Sequence, residues 1–119
     1  MNIVSANIPI FGKTLHAVVG NEHGLHHAPC GAIAEITKKI GKPIYASHED
    51  DIYERNICGS ILALETMQFP KDSKIKIRVS DDYPEYALRA IMNCLRAWGN
   101  GELRFIKNSF LEDFYSQHT

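Results

Sequence analysis

The sequence has few cysteines, no long apolar run and almost no net charge, and each shortage excludes a class of protein. Its three cysteines, Cys30, Cys58 and Cys94, form no Cys-x-x-Cys pair, so reduced thiols in a cytoplasmic protein are the simplest interpretation. No apolar run reaches the length of a membrane span, and the first residues lack the basic end and apolar stretch of a secretion signal. A net charge of -1 gives no electrostatic attraction for nucleic acid or an anionic membrane. We therefore expect a cytoplasmic protein that neither inserts into a membrane nor binds nucleic acid.

What the sequence does contain is a regular series of predicted strands and helices within 119 residues, a length that favours one domain. Strands are expected at 14–19, 43–47, 52–55 and 73–80, and helices from His26 or Pro29 to 40, from Ser60 to 67 and from 82 to 98. The last strand is the clearest, because Ile75, Ile77 and Val79 alternate with basic residues. Helices with one apolar stripe beside strands that are apolar on one face imply two layers.

Two short motifs carry a resemblance to a known family. Residues 21–30 read Asn-Glu-His-Gly-Leu-His-His-Ala-Pro-Cys, which resembles the signature Asn-x-x-Gly-Leu-His-x-Arg-Pro-Ala of the HPr family of phosphocarrier proteins. His26 takes the position of the histidine that carries phosphate in that family. Residues 58–64 resemble the family's Lys-Ser-Leu/Ile helix start, and Ser60 matches a serine that is a regulatory phosphorylation site in some members. The likeness covers roughly residues 13–99.

The resemblance implies an α+β fold, an open-faced β-sandwich. A four-stranded antiparallel sheet would carry three helices on one face, in the order βαββαβα. Residues 13–99 would form the HPr-like domain, with an N-terminal extension at 1–12 and a C-terminal extension at 100–119.

The resemblance also implies a function in the phosphotransferase system, which serves sugar transport and its regulation. His26 would accept a phosphoryl group from an enzyme-I-like donor and pass it to an enzyme-II-like or regulatory acceptor. Such a protein is a phosphohistidine relay rather than a self-contained catalyst, and it needs no cofactor.

The residues around His26 suit this chemistry. A neutral imidazole is nucleophilic near physiological pH, and a helix start offers free backbone N–H groups to a phosphoryl group. Gly24 permits the tight approach turn, Leu25 would anchor the loop in the core, and Pro29 stiffens the first helical turn.

One position departs from the signature, because Ala28 stands where the family has an arginine. Charge-assisted hydrogen bonds contribute roughly 1.5–3 kcal/mol, so we expect slower transfer that is not abolished. His27 or His23 would supply part of the missing charge. The alternative function is a regulatory protein-binding homologue that keeps the docking surface but has lost efficient phosphotransfer.

The second motif predicts a helix cap and a docking surface. Ser60 is expected to cap the helix that follows, and Ile61, Leu62 and Leu64 cannot all face one core. We expect Ile61 and Leu62 to contribute to an exposed apolar patch beside His26, where donor and acceptor proteins dock.

A metal site is the rival interpretation of the histidine-rich segment. The pairs His23-x-x-His26 and His27-x-x-Cys30 offer imidazole and thiolate ligands at close spacing. A second pair from elsewhere in the fold is not evident, so no metal is expected.

The C-terminal extension has too many large apolar side chains for a solvated coil: Phe105, Ile106, Phe110, Leu111, Phe114 and Tyr115. Asn108 or Ser109 is expected to cap a short helix with Phe110, Leu111 and Phe114 on one side. A helix that short is marginal in water, so the tail should pack on its own domain or join two subunits in a homodimer.

Overall fold

The computed structural model describes residues 12–97 and 104–118, with side chains for 12–96 and 111–118. Its strands are β1 (Lys13–Val18), β2 (Ile44–His48), β3 (Arg55–Asn56) and β4 (Lys74–Val79). Its helices are α1 (His27–Ile40), α2 (Ile61–Glu65), α3 (Glu85–Ala97) and α4 (Arg104–His118). From β1 to α3 the order is βαββαβα, as predicted.

The four strands form one antiparallel sheet in the order β1-β4-β2-β3. In the central strand β4, Ile75, Ile77 and Val79 are buried, while the basic residues between them lie on the opposite face. The helices cover only the apolar face, so the core lies in a single layer between sheet and helices. The predicted open-faced α+β sandwich is confirmed.

Helix α1 forms because its apolar residues recur at helical spacing. Ile33 and Ile36 are buried within the core, and Pro29 is buried in the first turn. Gly41 then adopts the left-handed conformation (φ 73°) and donates its N–H to Thr37 O, which ends the helix as expected. The first turn of this helix is the part that positions the candidate site.

The third predicted strand is corrected by the structure. Only Arg55 and Asn56 pair with β2, so the expected strand at 52–55 is reduced to two residues that begin later. Asp51 Oδ1 accepts the Tyr53 N–H at 2.9 Å and closes a turn there. Ile52 and Tyr53 remain 85% and 78% exposed, because the turn leaves them without a sheet neighbour.

The tail helix is also corrected. Helix α4 begins at Arg104, so Asn108 and Ser109 lie inside it rather than at its cap. No glycine or proline interrupts residues 104–118, which allows one continuous helix. Phe114 is buried beneath Tyr86 of α3, so the described part of the tail packs on its own domain. Phe110 is expected on the same side of this helix as Phe114, but its side chain lies outside the described residues.

Candidate functional site at the start of the first helix

The loop between β1 and α1 is fixed to the core by one buried amide. Asn21 is fully buried, and its Nδ2 donates to Cys94 O of α3 at 2.9 Å. The backbone carbonyl oxygen of Asn21 accepts the Gly24 N–H at 2.9 Å. The next residue, Leu25, is buried and donates its N–H to Phe69 O at 2.9 Å. The loop that carries His26 is therefore held on both sides by hydrogen bonds to distant segments.

Gly24 is required in this loop for two reasons. Its φ of 71° is in the left-handed region that disfavours residues with a Cβ. A Cβ at this position would lie 2.6 Å from Phe69 O and 3.0 Å from Pro70 Cα. The predicted tight approach turn is confirmed.

His26 is the N-cap residue of α1, and its side chain makes no capping hydrogen bond. Its Nδ1 lies 3.1 Å from Gly24 O, and since a carbonyl can only accept, Nδ1 carries the proton in the neutral ring. In this tautomer the lone pair is on Nε2. The Cys30 N–H is the first in the helix to bond back, to His26 O at 3.2 Å. The N–H groups of His27 and Ala28 precede that bond and have no partner within the helix.

The residues beside His26 include two further imidazoles and one carboxylate. His27 Nδ1 lies 3.5 Å from Glu65 Oε2 of α2, and the His23 ring meets the His26 ring edge-on, with 6.1 Å between centroids. An open cavity of about 460 Å³ adjoins the loop and is lined by His23, Glu65 and Phe69 among others. Ala28 is exposed, and it lacks the positive charge that an arginine would supply at this position.

The second motif lies next to α1, as expected. Ser60 is the N-cap of α2, and its Oγ accepts the Ala63 N–H at 3.0 Å, which confirms its capping role. The Ile61 side chain approaches Gly31 in the second turn of α1. Leu62 is 69% exposed while Leu64 is buried, so these apolar residues do divide between core and surface.

The geometry supports neither a reactive thiol at Cys30 nor a metal site. Burial and, as a smaller cause, the negative charge of Glu65 raise the pKa of the Cys30 thiol to about 12. This thiol therefore stays protonated and unreactive. Within residues 12–97 and 104–118, no three His, Cys, Asp or Glu side chains come together to hold a metal ion.

Three residues that shape the site were not assigned a role from the sequence. Asn21 is the first residue of the motif at 21–30, but its anchoring role depends on the end of α3, which packs beside it. Phe69 acts through its carbonyl oxygen, which leaves no trace in the sequence. Glu65 reaches His27 only because α2 packs against α1.

Comparison with known proteins agrees with this geometry. A family model described as the PTS HPr component phosphorylation site matches residues 13–97. HPr-C-His from Thermoanaerobacter tengcongensis is similar in structure, with a TM-score of 0.62 and 20% identity over 76% of this chain and 99% of that one. The histidine-containing phosphocarrier protein of Mycoplasma gives a TM-score of 0.58 and 21% identity over 69% and 90% of the two chains. No curated protein sequence matches the chain. Among the described helices, none has the length and apolar character needed to cross a membrane.

Proposed function

Because the chain belongs to the HPr family of the phosphotransferase system, we propose that His26 is the residue that accepts and passes on a phosphoryl group. One observation carries this proposal: His26 is the N-cap of α1, yet its ring is not used for capping. The Nε2 lone pair is available in the rotamer held by Gly24 O. An enzyme-I-like protein is the proposed donor, and an enzyme-II-like or regulatory protein is the proposed acceptor.

In the proposed step, the lone pair of His26 Nε2 attacks the phosphorus atom of the phosphorylated donor. The bond between phosphorus and the donor breaks, and its electron pair stays on the donor. The ring then carries a positive charge, which the Nδ1–H···O contact with Gly24 helps to offset. When an acceptor nucleophile attacks phosphorus, the electron pair of the N–P bond returns to Nε2.

Two weak interactions with the first turn of α1 would stabilise a phosphoryl group near His26. The N–H groups of His27 and Ala28 are donors without helical partners, and the helix dipole is worth about 0.3–1 kcal/mol toward an anion. Gly24 and Pro29 keep the turn in shape, one by its positive φ and the other by its fixed ring. Ala28 contributes only its backbone, so transfer should be slower than with an arginine.

Partner docking is proposed beside the same turn. Leu62 exposes most of its side chain and Ile61 is partly covered, and such an apolar surface suits a protein partner. Phosphorylation of Ser60 would place a dianion next to this surface and disrupt a partner packed on it, which is the regulation we propose.

The alternative function is a regulatory binding protein that has lost efficient phosphotransfer. The observation that favours it is Glu65, whose carboxylate lies 3.5 Å from His27 and adds negative charge where a phosphoryl dianion would arrive. The domain limits of 13–99, a cytoplasmic location and a homodimer through the tail remain predictions.

Incubation with phosphoenolpyruvate and a phosphorylatable enzyme I tests the proposal. We expect a label that is acid-labile and base-stable, as a phosphoramidate is, and its ³¹P shift identifies the nitrogen that carries it. His26→Ala should abolish the label, while the matched changes His23→Ala and His27→Ala should only reduce it. A fully labelled His26→Ala protein would show that another residue is the carrier. An unlabelled wild-type protein that still binds enzyme I would favour the alternative.

A further inference from the structure

A second cavity, of about 510 Å³, lies at the outer edge of strand β1 and shares no residue with the loop that carries His26. Strand β1 pairs only with β4 among the described residues, so one side of it is open. The cavity meets this open side and extends to helix α3. It lies within the size range of small-molecule sites in proteins.

The apolar part of the cavity wraps around the strand edge. Ala17 and Val18 line it and point to opposite faces of the sheet, because side chains alternate along a strand. Met92 completes this part from α3. Val18 is 47% exposed, and a bound apolar group would cover it.

The polar part of the cavity combines a hydrogen-bonded carboxylate with a lysine. His16 Nδ1 lies 2.8 and 3.0 Å from the two carboxylate oxygens of Glu49, so this acid is already satisfied. Lys74 forms no ion pair with any carboxylate in the described part of the chain. Arg96 also lines the wall. Lys74 is therefore the side chain with which an anion in this cavity would pair.

We propose that this cavity binds a small organic carboxylate. The carboxylate would lie against Lys74, and its apolar body would cover Val18 and Met92. Inorganic phosphate would pair with Lys74 but would not cover the apolar wall. A neutral molecule would gain no charge-assisted hydrogen bond from Lys74, and a cationic molecule would be repelled by it. The proposal is independent of phosphoryl transfer, because no residue of the histidine loop lines the cavity.

Hexanoate is the probe for the test, titrated into the full-length protein and followed by the NMR signals of the Val18 and Met92 methyl groups. We expect saturable shifts with hexanoate, and none with 1-hexanol, hexylamine or inorganic phosphate at the same concentrations. Lys74→Gln should weaken hexanoate binding about tenfold or more, as loss of a charge-assisted hydrogen bond does.

Lys76→Gln is the matched control, since Lys76 has the same charge and lies on the same face of β4 but does not line the cavity. This variant should bind hexanoate as the wild type does. Equal weakening in both variants would overturn the proposal, as would non-saturating shifts or equal binding of phosphate. Lys74→Gln should keep its phosphorylation by enzyme I, so failure here and failure of the proposed function give different results.

Discussion

Replacing Gly24 with alanine should damage the site and the fold together. The positive φ costs a residue with a Cβ about 1–2 kcal/mol. The new Cβ would also lie 2.6 Å from Phe69 O, a backbone atom that cannot rotate away. The loop must therefore shift and give up the 2.9 Å bond from Leu25 N–H, which contributes roughly 0.5–1.5 kcal/mol. Together these costs reduce the free energy of unfolding by roughly 1.5–3.5 kcal/mol.

Gly41→Ala separates the cost of a positive φ from the cost of the close approach to Phe69. Gly41 has a similar φ of 73°, but its added Cβ would meet nothing closer than Lys38 O at 3.9 Å. We expect Gly41→Ala to lose only about 1–2 kcal/mol and to keep its phosphorylation rate. Urea unfolding, with unchanged m values, measures both losses, and the enzyme I assay measures the rate. If the two variants lose the same free energy and Gly24→Ala is phosphorylated at the wild-type rate, the close approach to Phe69 is not what positions His26.

Three further predictions follow from the site, the thiols and the tail. Ala28→Arg should raise the rate of phosphorylation of His26, because it adds a guanidinium beside the phosphoryl position; unchanged kinetics would mean that the loop geometry limits transfer. Burial raises the pKa values of Cys30 and Cys94 to about 12, so at pH 8 only about one thiol in ten thousand is ionised, and mass spectrometry after brief iodoacetamide treatment should find Cys58 modified first. Phe114→Ala should cost about 3–5 kcal/mol in urea unfolding, since Phe114 is 1% exposed; a loss below about 1 kcal/mol would show that α4 is not needed for stability.

The parts of the fold that were predictable from sequence have local causes. The apolar stripe of α1, its stop at Gly41 and the alternation in β4 each depend on neighbouring residues, and all agree with the structure. Ser60 as a helix cap is of the same kind. These features predict two layers, and the resemblance to the HPr family adds the open-faced α+β sandwich.

The parts that were not predictable depend on packing between distant segments. Only two residues of β3 pair with β2, because the turn closed by Asp51 holds the preceding residues away from the sheet. The alternation of apolar residues does not reveal this. The contact of Glu65 with His27 requires the relative position of two helices. A cap at Asn108 or Ser109 predicts a start for α4 that is too late, because the helix continues through both positions.

The shortness of β3 has a consequence for how the protein behaves at high concentration. An edge strand is a template on which another chain can add, and a long flat edge invites aggregation. With two residues, β3 offers almost no ladder for such growth, and Arg55 adds a charge there. Beyond it, the chain leaves the sheet for the turn into α2. The shortness of β3 and the charge of Arg55 therefore make this side of the sheet a poor template for polymerisation.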